Sequence, residues 1–335
     1  MPSSWKRPHL RLPRWTPQAV VLFVAVYLGA HALAKTAISV AGSRLLGTRV
    51  RVGWCTIGVL HPGVTLHHLV VEQPKGFPRG HLLDVPTLSA RLTLGGALRG
   101  QWHFADVVVD VREFRLVKDK DGRLNVDTLA VIAESKPASA AMDKTAKPAS
   151  AALPAAMPPF TVDRMRLSVE RVIFTDYQKG SPPEVQVYEH VLRGKTYKHI
   201  TAVRQLVVVV LMQAMSPTAV KSAGISAAAA LSGAALLPVA VLGVMAAKDD
   251  ATAELSHGAR ETLRKMEAFL KDIGKVTRSD RDRGELWGKA RGCDVYVHVE
   301  SLGFGRSRVT ITARKLLLPQ PAVAAGLLYQ LRERL

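Results

Sequence analysis

Two uncharged runs and two zones of alternating apolar and polar positions divide the sequence. The first run, Trp15 to Ala34, has its apolar centre at Ala19 to Leu28. About 20 helical residues cross a hydrocarbon core, so the pattern predicts a transmembrane anchor and helix extension over 19–47. Lys6, Arg7, Arg11 and Arg14 precede it, and residues 1–18 hold no acid. That imbalance keeps a basic tail, 1–18, in the cytoplasm and exports the rest of the chain. Ala32-Leu33-Ala34 also fits a signal-peptide cleavage site, a reading that exports the same residues.

From Val50 the period falls to two, which marks strands. Val64 to His67 opens a strand that ends in Val70-Val71-Glu72, and Gln73 to Pro78 breaks it. Leu88, Ala90, Leu92 and Leu94 alternate with Ser89, Arg91 and Thr93. Val107, Val109 and Val111 line one face of the next strand, and Val108, Asp110 and Arg112 the other. Asp119-Lys120-Asp121-Gly122 is a turn, because Asp-Gly reaches positive φ at little cost. The β region therefore covers 48–133.

Residues 134–159 repeat Lys-Pro-Ala-Ser-Ala-Ala twice and lack the apolar bulk to order themselves, so they read as a low-complexity linker. A second β unit begins at Phe160, where Met165, Leu167 and Val169 alternate with charge. An apolar helix, Val203 to Met215, completes this segment, 160–221, and is expected to pack on the sheet. The second uncharged run, 222–247, is Ala- and Gly-rich. Its small residues suit close helix packing in a membrane or in a buried hairpin, so it is a candidate second membrane segment. The tail, 251–335, opens with the stripe Leu255, Ala259, Leu263, Met266, Phe269, Leu270 and Ile273, with Gly274 as its stop. Cys293, Val295, Val297 and Val299 form one strand face, and Val309, Ile311 and Ala313 another after the Gly303-Phe304-Gly305 turn. A helix from Ala322 closes the chain. The expected fold class is α+β: an N-terminal transmembrane helix, a twisted antiparallel β-rich region, a hydrophobic helical segment and a small C-terminal αβββα domain.

Charge adds a partner class. The net charge of +19 over 335 residues suits a polyanionic neighbour. The densest basic stretch, Arg278 to Arg291, is interleaved with Asp280, Asp282 and Glu285. An interrupted stripe argues against nucleic acid, and the hydrophobic runs favour a membrane. Two cysteines, Cys55 and Cys293, cannot build a disulfide framework; they are expected as two buried thiols, with one long-range bridge in an oxidising compartment as the alternative. His67 and His68 are adjacent on a strand and cannot share one metal, while His61 and His81 complete only a loose cluster. Gly303-Phe304-Gly305 lacks the third glycine of a dinucleotide loop. Asp84, Asp106 and Asp110 have no spacing that pairs them, and no nucleophile signature occurs. The chain reads as a non-enzyme with no cofactor, no metal and no catalytic residue.

The order of these pieces resembles the N-terminal part of AsmA-like envelope proteins. The resemblance rests on Val64 to Glu72, Pro74-Lys75-Gly76-Phe77, Leu88 to Leu94, Phe104 to Lys118, and the turn Asp121-Gly122-Arg123-Leu124-Asn125. Phe160 to Asp176 looks like the next β unit. The tail is similar to small bacterial lipoproteins of unassigned function, through Gly305-Arg306-Ser307-Arg308-Val309-Thr310, but lacks their lipidated cysteine. The AsmA resemblance implies a bacterial inner-membrane protein with its bulk in the periplasm, assisting membrane assembly or phospholipid handling. Leu88, Ala90, Leu92, Leu94, Val107, Val109 and Val111 are then the candidate lipid-facing positions. The partners implied are membrane lipids and other envelope proteins. The alternative is a structural or interaction module whose apolar face is covered by its own helix, Val203 to Met215.

Overall fold

The computed structural model describes residues 17–58, 62–93, 95, 101–133, 160–218, 220, 222–232, 250–316 and 318–335; for 17–28, 30 and 223 it describes the backbone alone. Strand (50 %) outweighs helix (33 %), and the two are combined as the α+β expectation requires.

Helix α1, Pro17–Leu46, leads directly into the first sheet. Gly47, at φ +70°, ends it and donates its N–H to the Ser43 carbonyl at 2.9 Å. The Ser43 hydroxyl accepts the Val50 N–H at 2.8 Å and so fixes the angle between helix and strand. Strands β1 (Val50–Gly58), β2 (Gly63–Glu72), β3 (His81–Leu92) and β4 (Trp102–Lys118) then form an antiparallel meander. The Asp119–Arg123 turn, a 3₁₀ turn at Asn125–Thr128 and the short helix α2 (Ala130–Ala133) come next.

Strand β5 (Phe160–Asp176) pairs with β4 in parallel along its whole length, Trp102 opposite Phe160 and Lys118 opposite Asp176. Strand β6 (Glu184–Ile200) completes a six-stranded sheet ordered β1 to β6. Two expectations change here. The sheet is mixed rather than antiparallel, because a parallel neighbour requires a long crossover and 119–159 supplies one. The segments 48–133 and 160–221 are one structural unit, since a single core draws on both sides of the 134–159 connection. The linker reading itself falls outside the described residues.

Helix α3 (Val203–Met215) lies on the apolar face and buries Val208, Val209, Val210 and Leu211. Helix α4 (Ala223–Ser232) joins it through Ile225, Ala228 and Ala229. Gly224 makes that approach feasible, since a Cβ there would sit 2.8 Å from both Asp127 Oδ1 and Ile132 Cγ2. The described part of the second uncharged run thus contributes to the core; residues 233–247 lie outside the described residues. Among the described residues no helix is long and apolar enough to cross a membrane. The centre of the expected anchor, Ala19 to Leu28, is not among the residues with described side chains.

The tail adds strands to the expected αβββα order. It runs β7 (Asp250–Leu255), α5 (Ala259–Ile273), β8 (Gly274–Asp280), β9 (Glu285–Ala290), β10 (Cys293–Gly303), β11 (Arg306–Lys315), β12 (Leu318–Pro319) and α6 (Pro321–Arg334). The sheet order is β12-β11-β10-β9-β8, with β7 also pairing β11. Strand β7 carries Ala251 and Ala253 where a strand ordinarily shows branched residues, and β8 is a mostly exposed edge. Gly274 does end α5, but with extended backbone. Its role is contact, because a Cβ would lie 2.0 Å from the Lys289 carbonyl oxygen.

Helix α6 ties the two units together. Val323, Ala324, Leu327, Leu328 and Leu331 enter the core of the tail, while Ala325 and Tyr329 pack on Ile173, Val185 and Val187 of the first sheet. Arg291 Nη2 donates to the Pro182 and Pro183 carbonyls at 2.7 Å each, and Gln330 Nε2 to Pro183 at 3.1 Å. Cys55 and Cys293 are free, buried and in different sheets. Burial pushes both thiols up from their ordinary range.

Candidate functional site

The two faces of the first sheet differ in kind, and the expected site residues lie on the apolar one. Val107, Val109 and Val111 are 4 %, 3 % and 2 % exposed and belong to the core beneath the helices. Their β5 partners, Met165, Leu167 and Val169, are wholly buried. Leu88, Ala90 and Leu92 sit opposite Val109, Val107 and Phe104 and are half-buried against the same core. Leu94 lies outside the described residues. Six of the seven positions are thus brought onto one face, and the three on β4 have the protein's own core around them rather than an open track.

Two polar groups break the apolar character of that core. The Tyr197 hydroxyl and the Gln213 carboxamide are buried without a hydrogen-bond partner among the described residues. Burial drives the Tyr197 phenol up to about 12. Nothing in the spacing of the sequence marks either residue as a buried polar group.

The opposite face carries charge. Glu113 accepts from His81 Nε2 at 2.8 Å and Arg115 Nε at 2.6 Å, with Arg171 Nη1 at 3.6 Å. Burial raises this carboxyl, but the hydrogen bonds from His81 and Arg115 and the Arg115 charge outweigh it and hold the group at about 2. Arg115 also lies 5.9 Å from the Tyr329 ring centroid, so the cluster reaches α6. Toward the other end of the sheet, Asp106 takes both Arg164 (Nη2, 3.1 Å) and Arg91 (3.6 Å), and the Arg164 hydrogen bond lowers its carboxyl. Asp84 pairs with Arg112 at 3.3 Å. The three aspartates Asp84, Asp106 and Asp110 are thus dispersed, and two of them are committed to arginine.

Between these clusters a shallow depression of about 320 Å³ crosses the charged face, lined by Pro86, Asp110, Arg112, Ser168, Glu170, His190, Arg193 and Gly194. It coincides with a slip in the strand alternation. The core positions on β4 step from Val111 to Phe114, and on β5 from Val169 to Val172. On β6, His190 takes φ +52° at the same level. The acids Asp110 and Glu170 are mixed along it with the bases Arg112, His190 and Arg193.

Among the described residues no group of three or more His, Cys, Asp or Glu could hold a metal ion. His81 is engaged by Glu113, and His68 sits at φ +53°, a left-handed backbone inside β2. The Asn of the Asp-Gly-x-x-Asn turn has a structural role. Asn125 Oδ1 accepts from Val117 and Val126 N–H at 3.0 Å each, and Nδ2 donates to Gln73 Oε1 (2.9 Å) and the Arg115 carbonyl (2.7 Å). No family model matches the chain, and neither a curated protein nor a solved structure does.

Proposed function

We propose that this chain is a membrane-tethered envelope protein acting as a structural or interaction module, built on an amphipathic sheet whose apolar side its own helices close. The observation that carries the reading is the burial of Val107, Val109 and Val111 with α3 and α4 in one core. The uncharged run behind four cations supports the tether and the export of the bulk to the periplasmic side. The order of sheet motifs that resembles AsmA-like proteins supports the envelope setting.

One observation favours a second reading, phospholipid handling. Leu88, Ala90 and Leu92 are only half-buried, so an acyl chain has apolar surface to meet at the β3 side of the core.

The test uses the full chain in membranes. Retention in the membrane fraction after an alkaline wash is expected, and release would overturn the tether. A photoreactive side chain at Leu88, away from the tether end of β3, is expected to give no phospholipid adduct. A lipid adduct at this position would replace the interaction reading with lipid handling.

A further inference from the structure

The tether fixes which end of the sheet meets the bilayer. Helix α1 runs antiparallel to β1: Gly42 lies against the Val50 side chain, with a Cβ position 3.3 Å from Cγ1, and His31 lies beside Ile57. His31 is 4 % exposed, its Nε2 accepts the Ile57 N–H at 3.1 Å, and its ring stacks on Trp54 at 6.3 Å and 27°. Ala34 and Ile38 pack on Val52, Cys55 and Leu66. The N-terminal part of α1, from His31 back to Pro17, therefore continues about 20 Å past the level of Ile57. Strand β1 stops one residue later, at Gly58.

The register carries that level across the sheet: Ile57 opposite Val64, then Ala90, Val107, Met165 and Tyr197. One residue further toward the tether lie Arg91, Asp106, Arg164 and Lys198. Arg166 is close enough to Asp106 to lower its carboxyl. Among the described residues the acids at this end are Asp106, already shared by two arginines, and Asp163, which pairs with His103 at 2.9 Å. Four cations therefore face two carboxylates, one of which is occupied by histidine. The outermost residue of β4 is Trp102, 54 % exposed, stepping through Phe104 (6.3 Å) to Phe160 (5.5 Å). A surplus of cations beside an exposed tryptophan matches the headgroup zone of an anionic bilayer.

We propose that this end of the six-stranded sheet is a bilayer-contact rim, in which Arg91, Arg164, Arg166 and Lys198 bind anionic phospholipid headgroups and Trp102 enters the interface. The inference rests on the tether proposed for α1 and adds to it the lipid class and the contact surface.

Full-length protein would be placed in nanodiscs of phosphatidylcholine, with or without phosphatidylglycerol, and hydrogen exchange measured in peptides covering 87–93, 102–106 and 196–202. Slower exchange in the anionic discs is expected. Arg91→Gln with Lys198→Gln should weaken that protection roughly fivefold per charge removed, and Arg91→Lys with Lys198→Arg should restore it. Equal exchange in both discs for correctly inserted protein would overturn the rim and leave this end for a protein partner, with the tether intact. Failure of α1 to enter either disc would overturn the tether, and the rim with it.

Discussion

At the scale of single residues, the chemistry-bearing side chains are mostly spent on holding the fold. Glu113 is the clearest case. Its folded carboxyl sits at about 2, below the ordinary value of 4.5. A depressed carboxylate contributes stability that is complete above its unfolded value and lost as pH falls through its folded one. The window is therefore between about pH 4.5 and 2, with a contribution on the order of 3 kcal/mol. Glu113→Gln should flatten the acid limb of thermal stability in that window, as calorimetry across pH would register; an unchanged acid limb would count against the cluster. Gln213 points the other way. A carboxamide buried without partners costs about 1–3 kcal/mol, so Gln213→Met should raise the denaturation midpoint, and a lowered midpoint would mean the amide has a partner. The sequence could not separate these roles. Asn125 could be found, because Asp-Gly-x-x-Asn is a turn with an amide at its end, whereas Gln213 interrupts an apolar helix in the way a solvent-facing position would.

At the scale of elements, packing on two sides leaves α6 little freedom. A Cβ on Gly326 would lie 1.9 Å from the Val185 carbonyl oxygen. Overpacking of this kind costs about 1–3 kcal/mol, against a gain of about 1 kcal/mol from alanine's helix propensity. Gly326→Ala should lower the melting temperature and speed hydrogen exchange in β6; a more stable variant would show that α6 and β6 separate easily. Helix α3 was legible from its apolar run, and β4, β10 and β11 from clean alternation. Strand β6 was not, because His190 and His199 adopt positive φ and the register shifts twice against β5, which scrambles the period. Strand β7 was hidden by its alanines. Residues 222–247 show the same ambiguity, since alanine and glycine pack a soluble core as well as a lipid-embedded one. Here Gly224 fits against Asp127 and Ile132.

At the scale of the whole molecule, the sequence divided what the sheet unites. The 134–159 stretch looks like a boundary, yet the strands on either side of it are parallel neighbours. Alternation alone does not distinguish a parallel partner from an antiparallel one, so the joining of the two β segments was beyond reach of the pattern, while the apolar character of the β4 and β5 faces was not. The parallel pair also sets an order in time. The chain emerges N-terminus first, and β1 to β4 with α2 are complete before β5, β6, α3 and α4 exist. Closing a crossover of about 40 residues carries a loop-entropy cost that only the later contacts repay. Until then the row Val107, Val109 and Val111 is bare on a half-built sheet with an unpaired β4 edge. A newly made chain thus passes through a stage in which its stickiest surface is uncovered, and a chaperone that covers it, or the speed with which the remaining chain is delivered, becomes part of how this protein reaches its native state.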